Sequence, residues 1–411
     1  MITRRAFLVG GCAGLMCPEA AAARSTEDAL IARAMSGIDP DLFVDVHNHV
    51  VGLGHGGTGV QVHPHMTAGI SHPLNWIRFR AYIKASGIRD MERVDQDYLD
   101  VLRDRVESLP TRGTSLLMAF DQVHDEEGRP RPEASIFSVP NDHMFRAVAL
   151  SERFAPCASV HPYRRDAAEA LHEAADRGAV AIKWLPNAMH IDPASALCEA
   201  SYRVMAERGL TLISHGGEES AVPSPDTQEL GNPLRLRAAL DAGVRVVVAH
   251  CASHGHSKDL DAPGHPPERA FDLFLRMMDD ATYEGRLYGE TSAILLFNRV
   301  SHAGPRLMAR ADLHHRLVNG SDYPIPGINP LINLTQLWGL GLIRWEDRTP
   351  LSRLFRRNPL LGDFVLKRVL CGPDGAPTGL PPQVFCPPPE VFPALASWRA
   401  SLSEGPSQEG L

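Results

Sequence analysis

The sequence lacks the features of several large protein classes. Outside residues 1–23, no apolar run approaches the roughly 18 to 20 residues of a membrane span. Its 41 basic residues do not exceed the 49 acidic ones, and the net charge of −8 disfavours nucleic acid as a partner. No repeat of solenoid or propeller period is present. With 44% hydrophobic and 22% charged residues, the chain is expected to be globular rather than disordered, collagenous or coiled-coil.

Cysteine is scarce and widely spaced. Seven cysteines form neither a disulfide framework nor a CxxC metal site, although Cys371 and Cys386 could pair in an oxidising compartment. Histidine and proline are abundant instead. The 19 His suit metal or acid–base chemistry, and the 33 Pro suit long, stiff loops.

The N-terminus resembles a bacterial twin-arginine export signal. Arg4 and Arg5 precede a mildly apolar run, and an alanine-rich stretch supplies a cleavage site at 21–23. We therefore expect residues 1–23 to be a signal peptide and the mature protein to be periplasmic or secreted. The alternative is a cytosolic enzyme with a disordered or amphipathic N-terminus.

Short apolar runs alternate with amphipathic stretches from residue 41 onward. About eight β-then-α units in succession imply parallel strands with right-handed crossovers, and that number favours a closed (β/α)₈ TIM barrel. The predicted strands are Leu42–Val46, Ser115–Phe120, Cys157–Val160, Val180–Trp184, Leu210–Ser214, Val244–Ala249, Leu287–Thr291 and His315–Gly320.

The domain organisation follows from this rhythm. Residues 24–40 form a lead-in, and residues 41–370 form the barrel. An insertion after the first strand, at 50–95, is rich in Gly, His and Pro and is predicted to cover the barrel mouth. The segment 371–411 is dense in Pro and is predicted to be an extended arm with little packing of its own.

Metal-binding residue types follow several of the predicted strands. The loops at the carboxyl ends of parallel barrel strands carry the active site. His47 and His49 alternate along the first strand, so they share a face and can chelate one cation. His215 follows the fifth strand, His250 follows the sixth, and Asp322 follows the eighth within a GSDYP segment.

This pattern resembles the amidohydrolase superfamily of metal-dependent hydrolases, most closely its subfamily with a terminal G-[ST]-D-[YF]-P motif. The resemblance covers roughly residues 41–330. It implies a TIM barrel and a metal-binding set of His47, His49, His215, His250 and Asp322. In this family, the histidine at the position of His250 either binds the metal or activates substrate or water.

A lysine within the fourth strand leaves the number of metals open. Several members of the superfamily carry there a lysine that, as a carbamate, bridges two metals, and Lys183 matches it. Desolvation would depress the pKa of such a lysine, and its neutral amine could take up carbon dioxide. One metal and two metals are both consistent with the sequence. Imidazole and carboxylate donors favour Zn²⁺.

The predicted function is hydrolysis of an amide, ester, lactone or phosphoester in a small molecule. A divalent ion would activate water, and Asp322 would take the proton and return it to the leaving group. One alternative is a metal-dependent decarboxylase or other lyase, in which Arg164 would bind a substrate carboxylate. Another is a non-catalytic periplasmic carrier. Glu218, His161 and Arg164 are the candidate substrate contacts, and Glu290, at the end of the seventh strand, is a further candidate. A homo-oligomer is left open.

Overall fold

The computed structural model describes residues 18–328 and 331–403. The first helix, α1 (Pro18–Met35), precedes the barrel and includes the predicted cleavage site at 21–23. The arginine pair of the predicted export signal lies outside the described residues. In the part of the chain that is described, no helix has both the length and the apolar character of a membrane span.

Eight parallel strands form the central sheet, hydrogen-bonded to one another in chain order. Backbone hydrogen bonds from Val46 to Asn319 and from His49 to Tyr323, both 3.0 Å long, join the first strand to the segment after the last. The predicted TIM barrel is therefore confirmed. The strands are β1 (Val44–His49), β2 (Thr114–Met118), β3 (Phe154–Ala158), β4 (Ala181–Trp184), β5 (Thr211–His215), β6 (Val246–Ala249), β7 (Leu287–Glu290) and β8 (Leu317–Val318).

Helices surround the sheet, and several of them bury one apolar face. In the helix after β6, Phe271, Phe274 and Met277 recur at helical spacing and are buried. The helices are α2 (Pro64–Thr67), α3 (Pro73–Ser86), α4 (Val94–Glu107), α5 (Asn141–Val148), α6 (Ala167–Asp176), α7 (Pro186–Met189), α8 (Glu199–Arg208), α9 (Arg237–Asp241), α10 (Ala270–Met278), α11 (Val300–Ala309), α12 (Leu334–Gly339), α13 (Arg348–Arg357), α14 (Pro359–Arg368), α15 (Pro382–Phe385) and α16 (Pro393–Ser403).

Short elements complete the chain. Two antiparallel ribbons pair Gln61–Val62 with Phe137–Ser138 and His256–Lys258 with Pro267–Arg269. The 3₁₀ helices are His55–Gly57, Ala196–Cys198, Pro225–Gly231, Pro233–Leu236, His250–Ala252, Ala281–Tyr283, Ala311–Arg316 and Ile325–Gly327.

The proline-rich segment after residue 370 is packed, and the prediction of a loosely packed arm was wrong. Val391 and Phe392 are buried in the cluster that fills the barrel interior. The Thr211 hydroxyl, at the start of β5, donates a 2.6 Å hydrogen bond to the Val391 carbonyl. Apolar residues between the prolines thus close the N-terminal end of the barrel, which leaves the other end for a site.

The cysteines outside the first 23 residues, all within the described ranges, are free thiols. Cys371 and Cys386 therefore do not form the disulfide that an oxidising compartment would allow.

Candidate metal centre

Imidazoles from different strands meet one carboxylate at the C-terminal end of the barrel. His49 Nε2 lies 3.0 Å and His47 Nε2 lies 3.5 Å from Asp322 Oδ1, although 273 positions separate His49 from Asp322. His250 Nε2 lies 3.9 Å from Asp322 Oδ2. The ring of His215 is centred 5.3 Å from that of His250. The structure therefore brings together the residues that the strand-end pattern singled out.

The geometry of β1 departs from simple alternation. Its register with β2 shifts between Asp45 and Asn48, which marks an irregularity of the bulge type. The rings of His47 and His49 are nevertheless centred 5.0 Å apart. Asp45 itself accepts hydrogen bonds from the backbone amides of His47 and Ser321, so it ties β1 to the loop after β8.

Hydrogen bonds hold the imidazoles of His47 and His250 through their Nδ1 atoms. His47 Nδ1 lies 3.0 Å from Glu290 Oε2, and His250 Nδ1 lies 2.8 Å from Ser292 Oγ. The Ser292 hydroxyl in turn donates to Glu290 Oε2 over 2.7 Å. Since that hydroxyl proton points to the carboxylate, Ser292 Oγ accepts from His250 Nδ1. Both histidines are then left with an Nε2 lone pair for the centre.

The donor set fits a divalent cation. Ligand atoms of His47, His49 and Asp322 all lie within 4.8 Å of one another. His215 Nε2 is buried and has no hydrogen-bond partner among the residues described. Buried nitrogens are normally satisfied, and a cation would use this lone pair.

Burial sets the protonation of these groups. Desolvation lowers the pKa of His47, His215 and His250 well below the ordinary histidine value and favours the neutral form, which is the form that binds metal. Burial alone would raise the pKa of Asp322. Electrostatic attraction to His47 and the hydrogen bond with His49 outweigh burial and lower it. An ionised carboxylate among buried imidazoles matches a cation site.

Lys183 lies against the cluster. Its side chain is 2% exposed, and Nζ lies 3.3 Å from His47 Nε2. Burial lowers the pKa of this amine. The position is compatible with the predicted carbamate, which stays a prediction.

The backbone at the centre is strained. Asp322 and His250 adopt positive φ angles of 58° and 59°, a region that costs most residues about 1–3 kcal/mol. The Asp322 amide donates to the His47 carbonyl over 2.8 Å, and its own carbonyl accepts from the Ile325 amide over 2.8 Å. The buried network thus holds the carboxylate in a conformation that aims it at the histidines.

Gly320 of the GSDYP segment is required by close packing. A Cβ atom there would collide with Glu290 Oε1 and lie 2.8 Å from His47 Cβ. The Gly320 carbonyl accepts a 2.6 Å hydrogen bond from the buried Lys367 Nζ, which also pairs with Asp363. The loop therefore lies directly over β1 and β7.

A cavity of about 490 Å³ opens above the cluster. Its walls are mostly apolar, and α3 of the insertion contributes Phe79, Tyr82 and Ile83, so the insertion does line the mouth. The other apolar side chains on the wall include Met66, Phe120, Ile136, Phe137, Leu185, Leu296 and Ile325.

Two predicted substrate contacts do not line this cavity. His161 is fully buried, and its Nε2 lies 2.8 Å from the Met189 carbonyl, while burial lowers its pKa to about 4. Arg164 pairs with Asp166 at 2.8 Å and with Asp121 at 3.2 Å. Both side chains are occupied in structural contacts, and the prediction that they bind substrate is corrected.

The loop after β5 places Glu219 in the cavity wall, rather than the predicted Glu218. Glu218 Oε1 accepts a 3.0 Å hydrogen bond from the His256 amide and lies outside the cavity wall. Glu219 lines the cavity instead, and its Oε2 lies 3.5 Å from His215 Nδ1. In the sequence, the two adjacent glutamates were the only sign of an acid in this loop. The loop has no periodic pattern, so the sequence does not show which of the two side chains enters the cavity wall.

Glu290 was a candidate substrate contact and has another role in the structure, and Arg299 was not predicted as a site residue. Glu290 is fully buried and contacts histidine rather than open cavity, so it orients ligands. Its place at the end of β7 was the available signal. Arg299, in the link between β7 and α11, lines the cavity and has no sequence motif that marks it.

Imidazoles and a carboxylate gather at the C-terminal ends of the strands of this TIM barrel, which is where TIM-barrel enzymes carry their active sites. The model of the family described as amidohydrolase matches residues 44–343, and the chain belongs to this family.

The solved structures to which this chain is similar share little sequence with it. An uncharacterized TIM-barrel protein, Bb4693, from Bordetella bronchiseptica is 15% identical, covers 78% of this chain and 99% of its own, and has a TM-score of 0.46. 4-Oxalomesaconate hydratase from Rhodopseudomonas palustris is 12% identical, covers 88% of this chain and 99% of its own, and has a TM-score of 0.43. 2,6-Dihydroxybenzoate decarboxylase from Rhizobium is 14% identical, covers 77% of this chain and 98% of its own, and has a TM-score of 0.41. No curated protein matches the sequence.

Proposed function

We propose that this protein is a metal-dependent hydrolase of a small organic molecule. The observation that carries the proposal is the meeting of the His47, His49 and His250 Nε2 atoms around the Asp322 carboxylate beneath a 490 Å³ cavity. A divalent ion, with Zn²⁺ the best match to these donors, would supply activation of water for attack on an electrophilic carbon or phosphorus.

The residues divide into holding and proton-transfer roles. His47, His49 and Asp322 would hold the ion, and the unpartnered His215 Nε2 would join them. The hydrogen bond from His250 Nδ1 to Ser292 leaves its Nε2 as an acceptor, which supports a ligand role over hydrogen-bond donation to substrate.

Asp322 is the group best placed to move a proton. Its Oδ1 faces both β1 histidines, and the residue lines the cavity. Because neighbouring imidazoles lower its pKa, the carboxylate is ionised at neutral pH and can accept a proton from attacking water. The same group can return the proton to an amide, ester, lactone or phosphoester leaving group.

The test is metal analysis of protein purified without chelator, followed by assay on a panel of activated esters, lactones, amides and phosphoesters. We expect one or two zinc ions per chain and metal-dependent turnover. Asp322→Asn should abolish turnover, whereas Asp312→Asn, at an exposed position on the outside of the barrel, should not. Full activity of Asp322→Asn would refute its role.

Other outcomes of the same assay select the alternatives. Release of carbon dioxide without hydrolysis would identify a lyase. Stoichiometric metal without turnover would identify a carrier. A carbamate signal from ¹³C-bicarbonate that disappears in Lys183→Met would identify carbamylated Lys183, and that signal together with two zinc ions per chain would identify the two-metal form.

We further propose that the arginine pair at positions 4 and 5 directs export. Replacing both by lysine should retain the protein inside the bacterial cell. Unchanged fractionation into the periplasm would contradict the proposal.

A further inference from the structure

The cavity wall contains a buried cation that forms no ion pair among the residues described. Arg299 is 9% exposed and lines the cavity. Its Nη1 donates to Ser253 Oγ over a long 3.4 Å, and its Nε is buried without a partner among the residues described. Arg299 forms no ion pair with any carboxylate in the described ranges. Burying a guanidinium is costly unless it is paired.

Arg316 is a second buried arginine, and its contacts are those of an arginine with a structural role. Arg316 is 5% exposed and donates to the backbone carbonyls of Leu287, Met278 and Tyr283 at 2.7–3.2 Å. Those bonds satisfy its guanidinium within the protein, and it lines no part of the cavity. Arg299 has no comparable set of acceptors, so packing alone does not account for its burial.

The nearest acidic groups are engaged elsewhere. Glu219 accepts a 2.9 Å hydrogen bond from the Val222 amide, and its Oε2 lies 3.5 Å from His215 Nδ1. Asp322 faces the histidines of the metal centre. Burial lowers the pKa of Arg299, but a guanidinium stays charged in proteins. Arg299 therefore lines the cavity without an ion pair to either of the carboxylates that line it with Arg299.

We propose that Arg299 binds a carboxylate of the substrate while the metal centre acts on a different bond of the same molecule. The inference rests on the proposed function and names its substrate class, a small carboxylic acid with an apolar body. Phe79, Phe120 and Phe137 supply apolar wall for that body. A guanidinium offers paired donors that match a carboxylate. Arg164, which sequence reasoning considered for this role, is already paired with Asp166 and Asp121.

The test compares ligands that differ only in a carboxylate. Benzohydroxamate binds a metal centre through its hydroxamate, and its 3-carboxy and 4-carboxy derivatives add the second group. Calorimetry on the zinc-loaded full chain should show at least one carboxylated isomer binding about tenfold or more tightly than benzohydroxamate. Arg299→Met should remove that preference and leave both zinc stoichiometry and benzohydroxamate affinity unchanged. Arg306→Met, on the outer face of α11, should keep it.

Each contrary result has a separate meaning. Equal affinity of the wild-type protein for all three hydroxamates would overturn the carboxylate site but leave the metal-dependent function intact. A preference that persists in Arg299→Met would overturn the assignment to Arg299. Failure of the chain to take up zinc, or of zinc-loaded chain to bind any hydroxamate, would overturn the proposed function and this inference with it. If Arg299→Met fails to fold, Arg299→Gln takes its place in the same comparison.

Discussion

Replacing Glu290 with glutamine tests the hydrogen-bond network beneath the candidate metal centre. The carboxylate receives the His47 ring at 3.0 Å, the Ser292 hydroxyl at 2.7 Å, the His250 amide at 3.3 Å and the Ser292 amide. All of these are donors. Glutamine replaces one accepting oxygen by an NH₂ group. At least one of these donors then loses its acceptor and faces the N–H groups of the glutamine amide instead.

The expected loss follows from that count. An unsatisfied buried donor costs about 1–3 kcal/mol, which corresponds to roughly 5- to 150-fold. Loss of the carboxylate partner of a metal-binding histidine weakens metal binding by about 10- to 100-fold. Both considerations predict weaker zinc binding by Glu290→Gln of about 10- to 100-fold.

A competition titration against a chromogenic chelator measures this change directly. Glu284→Gln is the matched control, because that side chain is 66% exposed and lies outside the site. Equal zinc affinities of the wild-type and Glu290→Gln proteins would refute the argument that Glu290 orients His47.

Three further predictions concern packing and pH. Gly320→Ala should abolish zinc binding, since its Cβ would lie 2.8 Å from His47 Cβ, whereas Gly339→Ala, with open space around it, should bind zinc normally. Phe392→Ala should lower the free energy of unfolding by about 3–5 kcal/mol without changing zinc affinity; a stable variant would contradict the packed tail. Because burial lowers the pKa of His161 from 6.5 to about 4, the unfolded chain binds more protons in that window. Urea unfolding of metal-free protein should therefore show a free energy of unfolding that falls as the pH is lowered from 6.5 to 4. The fall should be less steep in His161→Gln. The same dependence of the free energy on pH in both proteins would contradict this prediction.

The strands show how closely local pattern predicts structure. The predicted second strand, Ser115–Phe120, overlaps the observed Thr114–Met118, and the sixth overlaps equally well. The eighth was predicted as His315–Gly320 but is only Leu317–Val318. The residues before it form a 3₁₀ helix, and those after it pass over β1 as a loop. Apolar runs locate strands, but cross-strand pairing sets their ends.

The substrate side of the cavity shows where local pattern stops. Glu218 and Glu219 are chemically equivalent in sequence, and only the turn after β5 decides which one lines the cavity. Arg164 looked available, but folding places it between two aspartates. Arg299 forms no ion pair among the residues described, and its Nε has no hydrogen-bond partner there. Loops have no periodicity, so their side-chain directions depend on contacts with distant segments.

The sequence by itself determined the order of the strands, the barrel class and the histidines and aspartate at the strand ends. It could do so because strand alternation and the parallel βα repeat are local rules that place those ends on one rim. Tertiary structure alone decided that the proline-rich segment closes the barrel floor, that Glu290 holds His47, and that Arg299 lines the cavity without an ion pair among the residues described. Those outcomes depend on which distant side chains meet, and no local spacing encodes them.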